Sequence, residues 1–388
     1  MSQVALIQCD SYDAEMVYKA LKQGVTALGG IERFFCPTEK ILLKPNLLRG
    51  KKKESAVTTH PAVFEAMVRI LKEAACKNLC YGDSPGIGNP EKVAEEAGIK
   101  EVADRHGISL LEFSKGKTVA YPEGVTTKKF ELAEGVLESD AIISICKMKT
   151  HGLTRITGAV KNQLGCVYGF NKGACHARYP DSLQFGKMLV DLNLCIRPRL
   201  FVMDGIIAME GNGPASGTPV AMNLLLISDD PVALDATFAR LVDLEPSYVP
   251  TIASGEEMGL GTGDANKIEI LGEKLEDHVN RNFNVERIPV RSEVNSTIGQ
   301  LSKIRGLITR KPVIIEERCV RCGICVASCP LEDKALTWKE TRNGRVPHYN
   351  YHKCIRCYCC QEMCPERAIT VKTPLLGILL IYRYIFIF

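Results

Sequence analysis

Residues 319–330 read CVRCGICVASCP and residues 354–365 read CIRCYCCQEMCP, two copies of C-x2-C-x2-C-x3-C-P. Three thiolates this close together can cap three irons of one cubane, while the fourth iron faces away from the loop and needs a ligand from a distant segment. The spacing therefore assigns Cys319, Cys322, Cys325 and Cys364 to one 4Fe–4S cluster, and Cys329, Cys354, Cys357 and Cys360 to a second. A structural zinc ion takes two separated Cys/His pairs, and disulfides mark oxidising compartments and small secreted domains. Neither pattern is two repeats of four that each end in Pro. Cys359 stands beside Cys360 but off the repeat, and reads as a thiol that packs next to the cluster.

Outward from these runs, the sequence shows an internal duplication. Ala335-Leu336-Thr337-Trp338 follows the first Cys-Pro and Ala368-Ile369-Thr370-Val371 follows the second, as two copies of one small strand would. The half-repeats are separated by residues 331–353, longer than a minimal two-cluster ferredoxin needs. Charge is uneven: residues 310–372 carry 12 Lys/Arg against 7 Asp/Glu. Each oxidised cubane with four thiolates carries about −2, so this excess offsets the clusters and favours their reduction. It forms no basic-aromatic stripe of the kind that binds nucleic acid, and no nucleic-acid partner is expected.

The chain has 388 residues, 46% of them hydrophobic and 24% charged, enough for two ordinary globular domains. Its 17 cysteines, with no secretory leader apparent at the start, point to a reducing, cytoplasmic setting. Eight of them (Cys9, Cys36, Cys76, Cys80, Cys146, Cys166, Cys175, Cys195) lie outside the runs and are expected to be small buried hydrophobes.

Residues 1–285 alternate between strand and helix patterns. Strands are predicted at 4–7, 40–44, 78–82, 141–146, 200–204, 223–228 and 267–271; helices at 14–28, 61–75, 90–97, 182–195 and 231–242. His60 before Pro61 and Asp230 before Pro231 suit helix starts. The expected fold class is α/β: a three-layer, mostly parallel sheet domain over 1–295, a connector over 296–311 with a short helix at 296–304, and a small α+β bacterial-ferredoxin-like domain over 312–373. The tail from 374 to 388 is apolar, too short to span a bilayer, and is expected to dock on the protein or to lie in a membrane interface.

A parallel sheet binds its ligands at the carboxyl ends of its strands. Four predicted strands release polar loops there, holding Lys44 and Asn46; Asp83, Ser84 and Gly86; Lys147, Lys149 and His151; and Asp204, Glu210 and Asn212. If the third strand runs on, alternation sends Lys147, Lys149 and His151 to one face, where with Arg155, Lys161 and Asn162 they make a cationic cluster for a carboxylate or phosphate. The segment 157–165 should open with a helical turn that Gly165 closes. Residues 82–86 match G-x-S-x-G, but Pro85 has no N–H for an oxyanion hole, which argues against a serine hydrolase; the same loop can hold an anion through backbone amides. His176 reads as structural. Asp83, Asp204 and Glu210 suit a divalent cation or proton transfer. The spacing from Gly211 to Gly217 is only a loose dinucleotide loop.

Taken together, Lys44-Pro45-Asn46, Gly82-Asp83-Ser84-Pro85, Lys147 to His151, Val160-Lys161-Asn162, Asp204-Gly205, Glu210 to Pro214 and the terminal two-cluster module resemble one family, the bacterial and archaeal iron–sulfur proteins catalogued as domain of unknown function three-six-two. The resemblance implies 4Fe–4S binding by the eight cysteines. The expected function is ferredoxin-type electron transfer to or from the large domain or a docked redox partner protein. The alternatives are a redox enzyme acting on a small anionic substrate, and an α/β domain with structural clusters. For the enzyme, Lys149, His151, Lys161, Asp204 and Glu210 are the catalytic candidates, and Lys44, Asn46, Asp83, Ser84, Gly86, Lys147, Asn162 and Asn212 the binding candidates; a divalent cation or flavin is a further candidate cofactor.

Overall fold

The computed structural model describes residues 1–169, 171–289, 309–341 and 344–375. The helix expected at 296–304 and the tail beyond residue 375 lie outside the described residues. The strands are β1 (Ser2–Gln8), β2 (Ile41–Pro45), β3 (Leu79–Tyr81), β4 (Ser109–Leu110), β5 (Gly116–Ala120), β6 (Lys129–Ala133), β7 (Ala141–His151), β8 (Arg155–Thr157), β9 (Leu200–Glu210), β10 (Thr218–Ser228), β11 (Ile268–Gly272), β12 (Lys311–Ile314), β13 (Leu336–Thr341), β14 (Gly344–Tyr349) and β15 (Ile369–Lys372).

Nine of them form one sheet in the order β11-β1-β10-β9-β7-β2-β3-β4, with β8 folded back on β7. Pairing is parallel except for β10 with its two neighbours and β8 with β7. Successive strand residues alternate between two cores. Ile143 and Ile145 face the helices Ala14–Ala27, Pro61–Glu73, Pro90–Glu96 and Ile99–His106. Cys146 and Met148 face Ser182–Ile196, Pro231–Leu241 and Pro250–Glu257. This is the three-layer α/β architecture, and its strands read as near-continuous apolar runs because both faces are covered.

The helix starts follow their chemistry. His60 Nδ1 accepts the Ala62 N–H at 3.2 Å, and Asp230 Oδ1 accepts those of Val232 and Ala233 at 2.8 and 2.9 Å. Several boundaries differ from expectation. Strands β7 and β9 each run 11 residues, well past 146 and 204. What reads as polar loop is therefore strand, its lysines carried inside by flanking elements. The helix Asn171–Arg178 is short and polar on average, so apolar periodicity does not betray it; Ile99–His106 is amphipathic but only 8 residues long, and follows directly on Pro90–Glu96. Gly165 does not close its segment; it sits inside a 3-10 turn, Gln163–Cys166, that follows the helical turn Ala159–Asn162. Cys36 is exposed, and Cys175 and Cys195 are half-buried, unlike the other five cysteines of the large domain.

The C-terminal module is a small α+β unit. Strand β12 pairs with β15, and the long spacer between half-repeats is the hairpin β13–β14. The duplication is visible in the backbone. Arg321 and Arg356 have φ of 59° and 62°, Gly323 and Tyr358 have 78° and 62°, and each pair leads into a helical turn, Ile324–Ala327 or Cys359–Glu362. Cys359 thus occupies the place of Ile324, which explains why it falls off the cysteine repeat.

Candidate functional site: a cavity between the two modules

The chain order of the sheet reverses between β2 and β7, since β3 and β4 extend to one side and β9 and β10 to the other. Such a switch point leaves a crevice at the carboxyl ends of the strands. Here the C-terminal module roofs that crevice. Gln361 Nε2 donates to the carbonyls of Asn212 and Gly213 at 2.9 and 3.1 Å, Arg49 Nη1 to the Cys364 carbonyl at 3.1 Å, and Arg310 Nη1 to the Gly152 carbonyl at 3.1 Å. The Gly86 N–H donates to the Leu48 carbonyl at 2.6 Å, and a Cβ at Gly86 would stand 2.7 Å from Met363 Cε. Glycine there lets the roof close. Between floor and roof lies a cavity of about 590 Å³, of ordinary ligand-binding size.

Eight of the predicted site residues border this cavity: Asn46, Asp83, Ser84, Gly86, Lys149, His151, Lys161 and Asn162. Lys149 Nζ donates to Asn46 Oδ1 at 2.6 Å and to the Val57 carbonyl at 2.8 Å. Asn46 Nδ2 donates to Asn162 Oδ1 at 3.2 Å, and Asn162 Nδ2 to Ser144 Oγ at 2.9 Å. The 159–162 turn that carries Lys161 is set by Asp235, whose Oδ1 accepts the Ala159 N–H at 2.6 Å and whose Oδ2 accepts the Val160 N–H at 3.1 Å. Burial pushes the Asp235 carboxyl up to about 7.

The other candidates are placed elsewhere. Lys147 and Asp204 face each other across β7 and β9 and pair at 2.8 Å, fully buried. Asp204 also accepts the Tyr12 hydroxyl at 2.8 Å and the His60 N–H at 3.0 Å. This pair is a strut in the sheet, so Lys147 does not join the cationic cluster. Arg155 pairs with Glu286 rather than with the cluster. Lys44 is buried against Asp83 at 2.8 Å. Glu210 accepts the Asn284 N–H at 2.8 Å, and Asn212 Nδ2 donates to the Ile369 carbonyl at 2.8 Å, which makes Asn212 part of the roof attachment. Asp83, Asp204 and Glu210 thus each serve a different partner. Among the described residues, no three His, Cys, Asp or Glu side chains are close enough to cage a single ion, so the expected divalent-cation site lacks its ligand set. The amides of Ser84 and Gly86 are also spent, on the Gly165 and Leu48 carbonyls, and hold no anion. The side chain of Ser84 instead accepts from Lys172 Nζ and the Gly169 N–H.

Three residues outside the candidate set complete the wall: Lys172, His176 and Glu362. Lys172 and His176 come from the helix the apolar pattern does not reveal. Glu362 is hidden in the sequence between two cluster cysteines. His151 Nδ1 accepts the N–H groups of Leu153 and Thr154 at 3.0 and 3.3 Å, which fixes its proton on Nε2, 3.0 Å from Glu362 Oε1. Burial lowers His151 to about 4 and His176 to about 3, so both rings are neutral near pH 7. Burial pushes Glu362 up, but His151, Lys161 and His176 together hold its carboxyl well below the usual range. Burial, aided by the charges of Lys161 and Lys147, brings Lys149 down to about 7; burial also brings Lys172 to about 8 and lowers Lys161.

The cysteines gather as two sets of four. One small cavity is lined by Cys319, Cys322, Cys325 and Cys364, another by Cys329, Cys354, Cys357 and Cys360. In each set one thiol is contributed by the other run. Four thiols round one hollow, one of them from the other run, are the ligand set a 4Fe–4S cubane takes. Cys329 and Cys359 also border the large cavity, so the second set lies against it.

Residues 311–365 match the model described as a 4Fe-4S dicluster domain. The chain is 35% identical over 258 residues to a thylakoid-associated protein of Synechocystis sp., covering 66% of this chain and 79% of that one. Among solved structures, lactate racemase apoprotein from Thermoanaerobacterium thermosaccharolyticum is similar with a TM-score of 0.37 at 10% identity, over 60% of this chain and 54% of that one. A Thermotoga maritima protein is similar with a TM-score of 0.36 at 15% identity, over 58% and 57%. The chain thus spans little more than half the length of either structure. Among the described residues no helix is long and apolar enough to cross a membrane. Residues 41–240 match the model for the domain of unknown function DUF362, and the chain belongs to that iron–sulfur family, with a 4Fe-4S module following the family domain.

Proposed function

We propose that this is an electron-transfer protein whose two 4Fe–4S clusters form a relay ending at the cavity between the modules, where a small anionic substrate exchanges electrons with the cluster held by Cys329, Cys354, Cys357 and Cys360. One observation carries this: Cys329, the buried lysines Lys149 and Lys161, and the half-buried Lys172 border the same cavity. It favours a redox enzyme over a protein that only hands electrons to a partner. The other cluster, ligated by Cys319, Cys322, Cys325 and Cys364, sits beside exposed Val320 and Cys322 and takes electrons from a redox partner protein. The clusters supply single electrons. The chain's own part is to hold the anion on the lysines and to keep water from it by closing the roof.

Anaerobic purification should yield about eight irons and eight sulfides per chain, with reversible low-potential reduction seen by EPR. Lys149→Ala should keep that spectrum and lose turnover. One or two zinc ions in place of iron would end the proposal. Location is proposed as cytoplasmic with contact at a membrane surface, supported by the thylakoid-associated relative and the apolar segment 375–388; flotation with anionic vesicles tests it.

The pH dependence has a definite sign. Lys149 is half-charged near pH 7 when folded, whereas an exposed lysine is charged to about 10.4. An anion favours the charged form, so its binding takes up a proton, and affinity falls as pH rises above about 7, by at most about tenfold per unit for one proton. For folding, the penalty of burying this ammonium is complete below pH 7 and is relieved as pH rises toward 10.4. Calorimetry in two buffers of different ionisation heat should show the proton uptake, and Lys149→Met should remove it.

A further inference from the structure

The cavity is two-ended. Its floor brings Lys149, Lys161 and Lys172 from β7, the 159–162 turn and the 171–178 helix. Its roof and rim are largely apolar, with Ile324, Ala327, Pro330 and Met363 from the cluster module and Leu48 and Ile87 from the large domain; Glu362 is the roof's one charged side chain. At the floor, two polar groups have no protein partner among the described residues. His176 Nδ1 has no hydrogen bond and its ring is held by stacking on Phe185 at 4.4 Å. Beside it, His151 Nε2 and Glu362 Oε1 pair with each other at 3.0 Å. Lys161 Nζ, over the Phe185 ring at 5.7 Å, has no ion pair or hydrogen bond among the described residues. Buried polar atoms are satisfied in native proteins unless a ligand or water completes them.

On the reading given above, we infer that the cavity's occupant is an organic carboxylic acid with an apolar body at least as large as an aromatic ring, its carboxylate on Lys161 and His176 and its body against Met363 and Ile324. A volume near 590 Å³ is far more than an inorganic oxyanion fills. The segregated wall selects a molecule that is itself segregated, since a polar body would leave its groups unpaired against the roof. Glu362 beside Lys161 repels a second negative charge on the head, which favours a carboxylate over a phosphate monoester.

Full-length, cluster-loaded protein with oxidised clusters tests this without electron transfer. Calorimetry would compare benzoate, cinnamate and indole-3-acetate with benzyl alcohol, cinnamyl alcohol and indole-3-ethanol, and with phenyl phosphate and sulfate. At least one acid should bind about tenfold or more tightly than its alcohol, than phenyl phosphate and than sulfate, the scale of a buried hydrogen bond to a charged group. Lys161→Met should remove about that tenfold while iron content stays unchanged. Ile87→Glu, at a half-exposed rim position that tolerates a polar side chain, should weaken the acid by a similar factor. The inference is overturned if no acid exceeds its alcohol, if sulfate or phenyl phosphate binds as tightly, or if both variants bind like the unaltered protein. Binding retained with clusters that cannot be reduced reversibly would sink the redox reading alone; reversible clusters without acid binding would sink this one alone.

Discussion

Cys329→Ala is expected to cost about four of about eight irons, and to cost them from the second run although Cys329 belongs to the first. Cys329 lines one cavity with Cys354, Cys357 and Cys360, while Cys364 lines the other with Cys319, Cys322 and Cys325. Removing one thiolate leaves one iron of a cubane without its protein ligand. Double variants reveal which cluster is lost, because changes within one unit do not add and changes in separate units do. Cys329→Ala with Cys357→Ala should lose no more iron than either alone. Cys329→Ala with Cys322→Ala should lose nearly all of it. The opposite pattern would mean that each run serves its own cluster, and the proposed contact between cavity and second cluster would go with it.

Asp204→Ala should destabilise the α/β domain by about 3–5 kcal/mol, the usual cost of stranding a buried charge. The carboxylate takes Lys147 Nζ, the Tyr12 hydroxyl and the His60 N–H, all inside the sheet. Without it the Lys147 ammonium keeps only the Tyr12 hydroxyl, at 2.8 Å. Replacing both partners, Asp204→Ala with Lys147→Met, should recover much of the loss, since no charge is then left unpaired. The measurement is the chemical unfolding midpoint, with iron content as the control for the C-terminal module. Unchanged stability with lost turnover would return Asp204 to the catalytic residues, where its position on a polar loop would put it.

That contrast between Asp204 and Lys149 shows what can be read from residues in order. Asp204 ends a predicted strand and Lys149 stands in the loop after one, and both look like site residues. Lys149 lines the cavity because a register shift in the β7–β9 ladder follows Lys147, and because Asn46, 103 residues away, turns its amide to meet it. Asp204 is cancelled by the residue that parallel pairing puts opposite. Neither a shift nor a register is written in composition or periodicity.

The sequence by itself determined the cluster chemistry and the class of fold, because a ligand run and an apolar alternation are local patterns that survive in any context. The close spacing of three thiolates forces a fourth from elsewhere, and apolar strand cores between amphipathic helices force a covered parallel sheet. Only the tertiary structure decided which charges are used up in pairs and which face the cavity, and that Glu362 from the cluster module meets His151 from the sheet. A buried charge is defined by what stands within a few ångströms of it, and here that neighbour comes from a different module.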